Sequence, residues 1–279
     1  MKGLSKRFAK NIGAVAGLLV LCLIVLMALS ANGIYPENPW DPSVAPFLKP
    51  LQESGVWLGS DSLGRDIASG IVHGARASLL VGCVATAVAL VIGLAVGIPA
   101  GFLGGRSDEV LMRLTEIFQT IPSFFFAIVL VAIFQPSFAS VIAAVGLVSW
   151  PPVARLVRAE FMRVKSSEFV EAARVQGLSS LRIVIAEILP NCLSPLIVMA
   201  SLMVANAILL ESAISFLGLG DPNLMSWGYM VGASRSLLRL AWWMCLFPGL
   251  AIFLTVLAIN LVGEGLNDAL NPRLHRKGQ

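Results

Sequence analysis

Few residues in this sequence combine a reactive side chain with a setting that could use it. Glu211 stands apart as the one acidic residue flanked by apolar runs within a hydrophobic stretch. An ionised carboxylate in hydrocarbon is costly, so it must face protein or a water-filled path. That leaves two readings: part of a translocation pathway, or a carboxylate hydrogen-bonded so as to hold its helix in place. Asn206, five residues earlier and about 140° around an ideal helix, is the second pathway candidate.

The remaining reactive side chains exclude more than they suggest. His73 and His275 are far apart, and neither has a second ligand at metal spacing. Cys22, Cys83, Cys192 and Cys245 sit singly in or beside apolar runs, without CxxC spacing or charged neighbours, which argues against disulfides, zinc and redox chemistry. The sequence offers no convergent nucleophile and base, and it has no GxxxxGK[ST] phosphate loop. Catalysis, nucleotide binding, metal and cofactor are therefore not expected of this chain.

The elements that position these residues must be membrane helices. With 57% hydrophobic and 13% charged residues and a mean hydropathy of +0.84, the composition does not suit a soluble surface. Uncharged runs cover 12–30, 77–105, 117–154, 188–210 and 240–263. Run 117–154 is long enough for two helices and has Gln135-Pro136-Ser137 near its middle, so it reads as a hairpin and brings the total to six spans. The first run exceeds the length of a signal-peptide core, which favours a retained span over a cleaved leader. The class is all-α, polytopic and multi-pass.

Fifteen of the 20 lysines and arginines fall in 1–11, 106–116, 155–187 and 264–279, the segments on one side of such a topology. The positive-inside rule then places both termini in the cytoplasm, and the pI near 9.1 reports orientation in the bilayer rather than nucleic-acid binding. We divide the chain into 1–76, an N-terminal span with an external loop and interfacial helix; 77–270, a core of five spans; and 271–279, a cytoplasmic tail.

Three long connections should carry function: 31–76 and 217–239 outside, and 155–187 inside. The first opens with Pro36, Pro39, Pro42, Pro46 and Pro50, which prevent regular helix. Beyond them, Leu63, Ile67, Gly70, Ile71, Gly74 and Ala75 fall on one helical arc, while Arg65, Asp66, Ser69, His73 and Arg76 fall on the opposite one. This predicts an amphipathic interfacial helix with Asp61 as its cap. Arg113 and Glu116 stand at helix-pair spacing before the third span, and Pro122 and Pro248 are placed inside spans as kink positions.

The inside connection has the strongest pattern. The fourth span leaves through Trp150-Pro151-Pro152 into a charged helix carrying Arg155, Arg158, Glu160, Arg163 and Lys165. A short helix over Glu168–Gln176 follows, Gly177 closes it with a left-handed backbone, and Ser179 caps a further helix running to Leu189 and Pro190. Ala172 and Ala173 are small enough to let another protein's backbone approach, and Glu171 with Arg174 can anchor that contact by charge. A helix–turn–helix knob of this kind can transmit force.

Glu171-Ala172-Ala173, followed by Gly177 and then Leu189-Pro190, resembles the EAA signature of ABC import permeases. The resemblance implies the type I importer permease fold, with 155–190 as a coupling segment seated on a separate ATP-hydrolysing subunit. Glu187 departs from the pattern, which has an apolar residue two places before the Leu-Pro. Trp57 to Asp66 resembles the GTDxxGRD element of dipeptide, oligopeptide and nickel permeases, which marks Asp61, Gly64, Arg65 and Asp66 as external gate or interface candidates. Ser215 to Gly220, Trp227-Gly228 and Asn271-Pro272-Arg273 resemble the C-type member of the permease pair.

The partners so implied are a B-type permease, two ATPases holding ATP and magnesium, and an external solute-binding protein, all in a bacterial inner membrane. Dipeptides or oligopeptides are the expected substrates, with chelated nickel or glutathione as alternatives. A secondary transporter would call for repeated halves with broken helices and paired intramembrane charges, neither of which is visible.

Overall fold

A computed structural model describes residues 7–270, which are helical with irregular connections. Helix α1 (Ile12–Leu29) is followed by a single turn, α2 (Ala31–Ile34), and the irregular segment 35–66. Then come α3 (Ile67–Leu103), α4 (Gly105–Thr120), α5 (Ser123–Phe134) and α6 (Phe138–Lys165). The short α7 (Glu168–Val175) leads to α8 (Ser180–Arg182), a π-helical turn over Ile183–Ile188, and α9 (Leu189–Phe216). A short α10 (Trp227–Ser234) and the long α11 (Trp243–Leu270) complete the described chain.

Among the described residues, five helical stretches are long and apolar enough to cross a membrane, and the bent pair α4–α5 makes a sixth if it counts as one span. The third span is therefore not the one helix kinked at Pro122 that was expected: it is divided there, and α4 and α5 meet at 82°. Pro122 causes the break, because it lacks an N–H and forces Ile121 into an extended conformation (φ −88°, ψ 124°). Pro122 thus lies between helices, whereas Pro248 is inside α11 as expected. The amphipathic stretch also needs correction. It opens the single 37-residue helix α3 rather than forming an element of its own, and Asp66, not Asp61, is the cap.

The core is built on the α3–α6 seam. A Cβ on Gly97 would lie 2.6 Å from the Ala154 carbonyl oxygen, and one on Gly101 would lie 2.6 Å from Phe161 Cβ. Gly93 meets Val153 in the same way. The pairings 93–153, 97–157 and 101–161 advance together, so the two helices run parallel, with their backbones close enough that only glycine fits. Helix α9 packs on α3 where Gly82 meets Val204 and Ile208.

The outlying α1 is tied in by Arg76 of α3. Its guanidinium donates to the Ala28 and Leu29 carbonyls at the α1 C-terminus and to Asn32 Oδ1, an arrangement that also suits the helix dipole. One end of the bundle carries segment 35–66 and α10, and the other carries the α3–α4 corner, α7 and α8.

Replacing Gly97 with Val should destabilise the chain by about 1–3 kcal/mol through forced separation of α3 and α6. A Cβ added at Gly249 would meet nothing within 4 Å, so Gly249→Ala should be neutral or stabilising by about 0.5 kcal/mol. Thermal unfolding of the detergent-solubilised protein checks both, and equal melting temperatures for the two variants would contradict the seam.

Candidate functional sites

Helix α7 presents Glu171 and Arg174 as an exposed ion pair at 3.1 Å. Ala172 is exposed beside them, while Ala173 turns inward with Val170 to join a core cluster containing Phe161, Val164, Ile183 and Ile188. Only one of the two alanines therefore offers a small outward surface, and the other fixes α7 to the bundle. Gly177 has φ +77°, and with that turn the Leu178 N–H reaches the Ala173 carbonyl at 3.2 Å. Ser179 Oγ then accepts from Arg182 N at 3.4 Å to start α8.

Val175 is 87% exposed on α7, and Phe169 and Leu181 nearby are exposed as well, so the knob has an apolar tip with no cover from this chain's described residues. The π-helical turn precedes Pro190, whose ring would clash with the carbonyl four residues earlier in a regular helix. Leu189 rests against the same core cluster, Pro190 is exposed at the start of α9, and the Glu187 carbonyl accepts from Asn191 Nδ2 at 2.7 Å.

A groove of about 850 Å³ runs between the α4–α5 break, the middle of α6 and one face of α9. Its polar groups are Gln119, Ser123, Ser149 and Asn206, set among Phe118, Met199, Leu202 and Met203. Pro151 and Pro152 belong to its wall inside the unbroken α6, and they leave the carbonyls of Leu147 and Val148 without their helical donors.

The two pathway candidates part here. Asn206 lines the groove, whereas Glu211 is 4% exposed and faces the other way, accepting from Ser215 Oγ at 2.8 Å, Ser226 Oγ at 2.9 Å and Ser212 Oγ at 3.4 Å. Ser226 also caps α10 by accepting from Tyr229 N at 3.0 Å, so Glu211 fastens α10 to α9. The serines at 212, 215 and 226 were the sequence signal for this arrangement. Another overlooked signal was the GxxxGxxxG spacing of Gly93, Gly97 and Gly101.

At the same end, residues 59–66 knot the proline-rich segment into a compact loop. Asp61 Oδ1 accepts from Leu63 N at 2.8 Å and Arg65 N at 2.9 Å, while the Gly64 carbonyl accepts from Ser43 N and Val44 N. Gly64 has φ +79° and lies against the Val44 carbonyl, leaving no room for a side chain. Arg65 stacks 4.8 Å over Trp40, which meets Tyr229 of α10 edge-on at 5.1 Å. Asp66 caps α3 through Ala68 N at 3.0 Å and Ser69 N at 3.4 Å.

His73 Nε2 bonds the Tyr35 carbonyl oxygen at 3.0 Å. Arg113 pairs with Glu109 at 2.9 Å rather than with Glu116, as a local contact on an exposed face. His275 and Asn271-Pro272-Arg273 lie outside the described residues.

Comparison with known proteins gives this architecture its family. Residues 93–276 match the family described as binding-protein-dependent transport system inner membrane component, and residues 3–50 match the N-terminal TM domain of oligopeptide transport permease C. The chain belongs to this family of inner-membrane permease subunits of ABC importers.

Its relatives include the dipeptide transport system permease protein DppC of Escherichia coli K12, 44% identical over 273 residues, 96% of this chain and 91% of that protein. The di/tripeptide transport system permease protein DppC of Pseudomonas aeruginosa is 41% identical over 280 residues, 98% and 92% of the two chains. The oligopeptide transport system permease protein OppC of E. coli K12 is 41% identical over 273 residues, 96% and 89%. Among solved structures, the inward-facing MetNI methionine ABC transporter superposes with a TM-score of 0.62 at 18% identity, over 72% of this chain and 96% of the other, which shows a shared fold.

The two bonded carboxylates make separate predictions. Glu211→Ala leaves buried Ser215 and Ser226 hydroxyls without an acceptor and should cost about 1–3 kcal/mol in thermal unfolding, while Glu211→Gln, which keeps an oxygen, should cost less. Equal losses would contradict the fastening of α10 to α9 by Glu211.

Asp66 is held above the ordinary carboxylate range by burial, against which its two backbone N–H bonds act to lower it. A carboxyl raised on folding binds its proton more tightly in the folded chain, so its contribution to stability is full below the ordinary pKa and declines as pH rises through the folded value. Asp66→Asn should remove that part of the acid-range dependence of the melting temperature, and superimposable profiles for the two chains would count against it.

Proposed function

We propose that this chain is the C-type permease of a peptide importer, taking dipeptides or oligopeptides, with both termini cytoplasmic. The observation that carries the coupling assignment is α7. It is a rigid knob, anchored inward by Val170 and Ala173 and presenting Glu171, Ala172, Arg174 and Val175 outward without a covering element among the described residues. Two ABC ATPases, which hold ATP and magnesium, bind at this end, and α7 is the coupling helix through which one of them acts on the permease. A B-type permease closes the groove, and an external solute-binding protein delivers substrate to the lid built on Asp61, Gly64, Arg65 and Asp66. The basic bias of the α7 end agrees with this orientation.

The groove suits a peptide. Its apolar walls tolerate varied side chains, while Asn206, Gln119 and the Val148 carbonyl freed by Pro152 can meet the peptide's own N–H and C=O groups. Asn206 is the pathway residue in this reading, and Glu211 is a positioning residue that keeps the lid helix α10 on α9. Closure of the ATPases on ATP moves α7, and with it α6 and the wall of the groove, exposing the groove alternately to the two sides.

Uptake of labelled dipeptide, longer peptide and nickel by cells lacking this chain, complemented with wild type, Glu171→Lys or Gly177→Val, tests the reading. Peptide uptake restored by wild type and by neither variant, with all three present in the membrane, is the expected result. Nickel uptake alone being restored, or full peptide uptake in either variant, would contradict it.

A further inference from the structure

Helix α4 is weakly held for an element that forms a wall of the groove. Thr115 is the one buried residue among its sixteen, and the rest of its surface is exposed or half-covered. Two side-chain contacts between it and α6 bear on its position. Near its end, Phe118 meets Trp150 of α6 edge-on at 5.3 Å, where the groove begins. In its first turn, Asp108 forms a two-pronged ion pair with Arg158 of α6, in which Arg158 Nε donates to Oδ1 and Nη2 donates to Oδ2 at 2.6 Å.

Fork-to-carboxylate geometry fixes orientation as well as distance, and an acid in the first turn also suits the helix dipole. The pair is partly shielded, with Asp108 16% and Arg158 34% exposed, unlike the exposed Arg113–Glu109 pair on the same helix.

Arg158 is also one turn from Phe161, and Phe161 and Val164 share their core cluster with Val170 and Ala173 of α7. The corner between α3 and α4 is a glycine turn, since Gly104 and Gly105 have φ +72° and +54° with open space around them. Lys165 of α6 donates to the Phe102 carbonyl just before that corner. Thus α6 and α7 share one packed core, α4 joins α3 through two glycines in left-handed conformation, and Asp108–Arg158 ties the sparsely buried α4 to that core.

We propose that the Asp108–Arg158 pair is a positioning strut that makes the α4–α5 wall of the groove follow the α6–α7 body. The inference rests on the importer reading, because it is the coupling of ATP hydrolysis to the groove that the strut would serve. Without the strut, α7 still moves under the ATPases, but the wall at Ile121 and Pro122 no longer moves with it. The complex then hydrolyses ATP without matching transport.

The test uses the complete complex in proteoliposomes, comparing wild type, Asp108→Asn, Arg158→Gln and the exchange Asp108→Arg with Arg158→Asp. We expect peptide transported per ATP hydrolysed to fall at least about five-fold in each single variant, the scale of a typical coupling between sites, and to recover in the exchange. Wild-type ratios in the single variants, or an exchange no better than they are, would overturn the strut.

A second readout does not depend on transport. Spin labels at Glu116→Cys and Gln176→Cys, both exposed, with the native cysteines replaced by alanine, should keep one narrow distance with and without ATP. Adding Asp108→Asn should broaden or shift it, and an unchanged distribution would refute the proposal. Absence of ATP-dependent peptide uptake in the wild-type complex would instead sink the importer reading, leaving the distance measurement to decide the strut.

Discussion

The structure depends on how closely α3 and α6 approach. At Gly93, Gly97 and Gly101 their backbones come near enough that a methyl group could not fit. In a bilayer, where lipid tails are as apolar as leucine, such contact is what holds helices together. The seam runs parallel, so it brings the C-terminal ends of both helices to one face of the bundle. The α3–α4 corner and the α6–α7 turn therefore lie side by side, which allows Arg158 and Lys165 to reach across. The knotted loop at the other end has its own anchor, since Asp66 caps α3 at the point where α10 packs on it through Trp227, whose indole N–H donates to the Ile71 carbonyl at 2.9 Å.

Polar groups divide into those that fasten and those that remain available. Glu211, Ser226, Asp61, Asp66 and Arg76 are satisfied within the chain and join helices or loops to one another. Asn206 and Gln119 face the groove, and Glu171, Arg174 and Val175 face outward from α7. A buried carboxylate ringed by hydroxyls is expensive to build and costly to disturb, which suits a fixed joint better than a surface that substrate must enter and leave.

Much of this was legible in the sequence. Charge-free runs marked the spans, and Gly177 and Ser179 punctuated segment 155–190 where the structure turns, because glycine and serine act locally. The expectations that failed depended on tertiary context. Asp61 and Asp66 are both able to cap a helix, and only the fold of segment 35–66, which draws Asp61 into its own turn, decides between them. Pro122 was visible, but whether it kinks a helix or divides it depends on what supports α4 beyond the break. Arg113 had acidic residues at both three and four places, and sequence spacing could not choose between them. For Glu211 both roles were open until Ser226 was seen to reach it from a distant connection.

Site-specific photocrosslinking in membranes containing the assembled transporter tests the central claim most directly, that α7 is the ATPase-facing knob and segment 59–66 the binding-protein-facing lid. A crosslinker at Val175 should capture an ATPase subunit, and one at Leu63, also exposed, should capture the solute-binding protein. Capture of the binding protein from Val175, or of an ATPase from Leu63, would contradict both the orientation and the coupling mechanism.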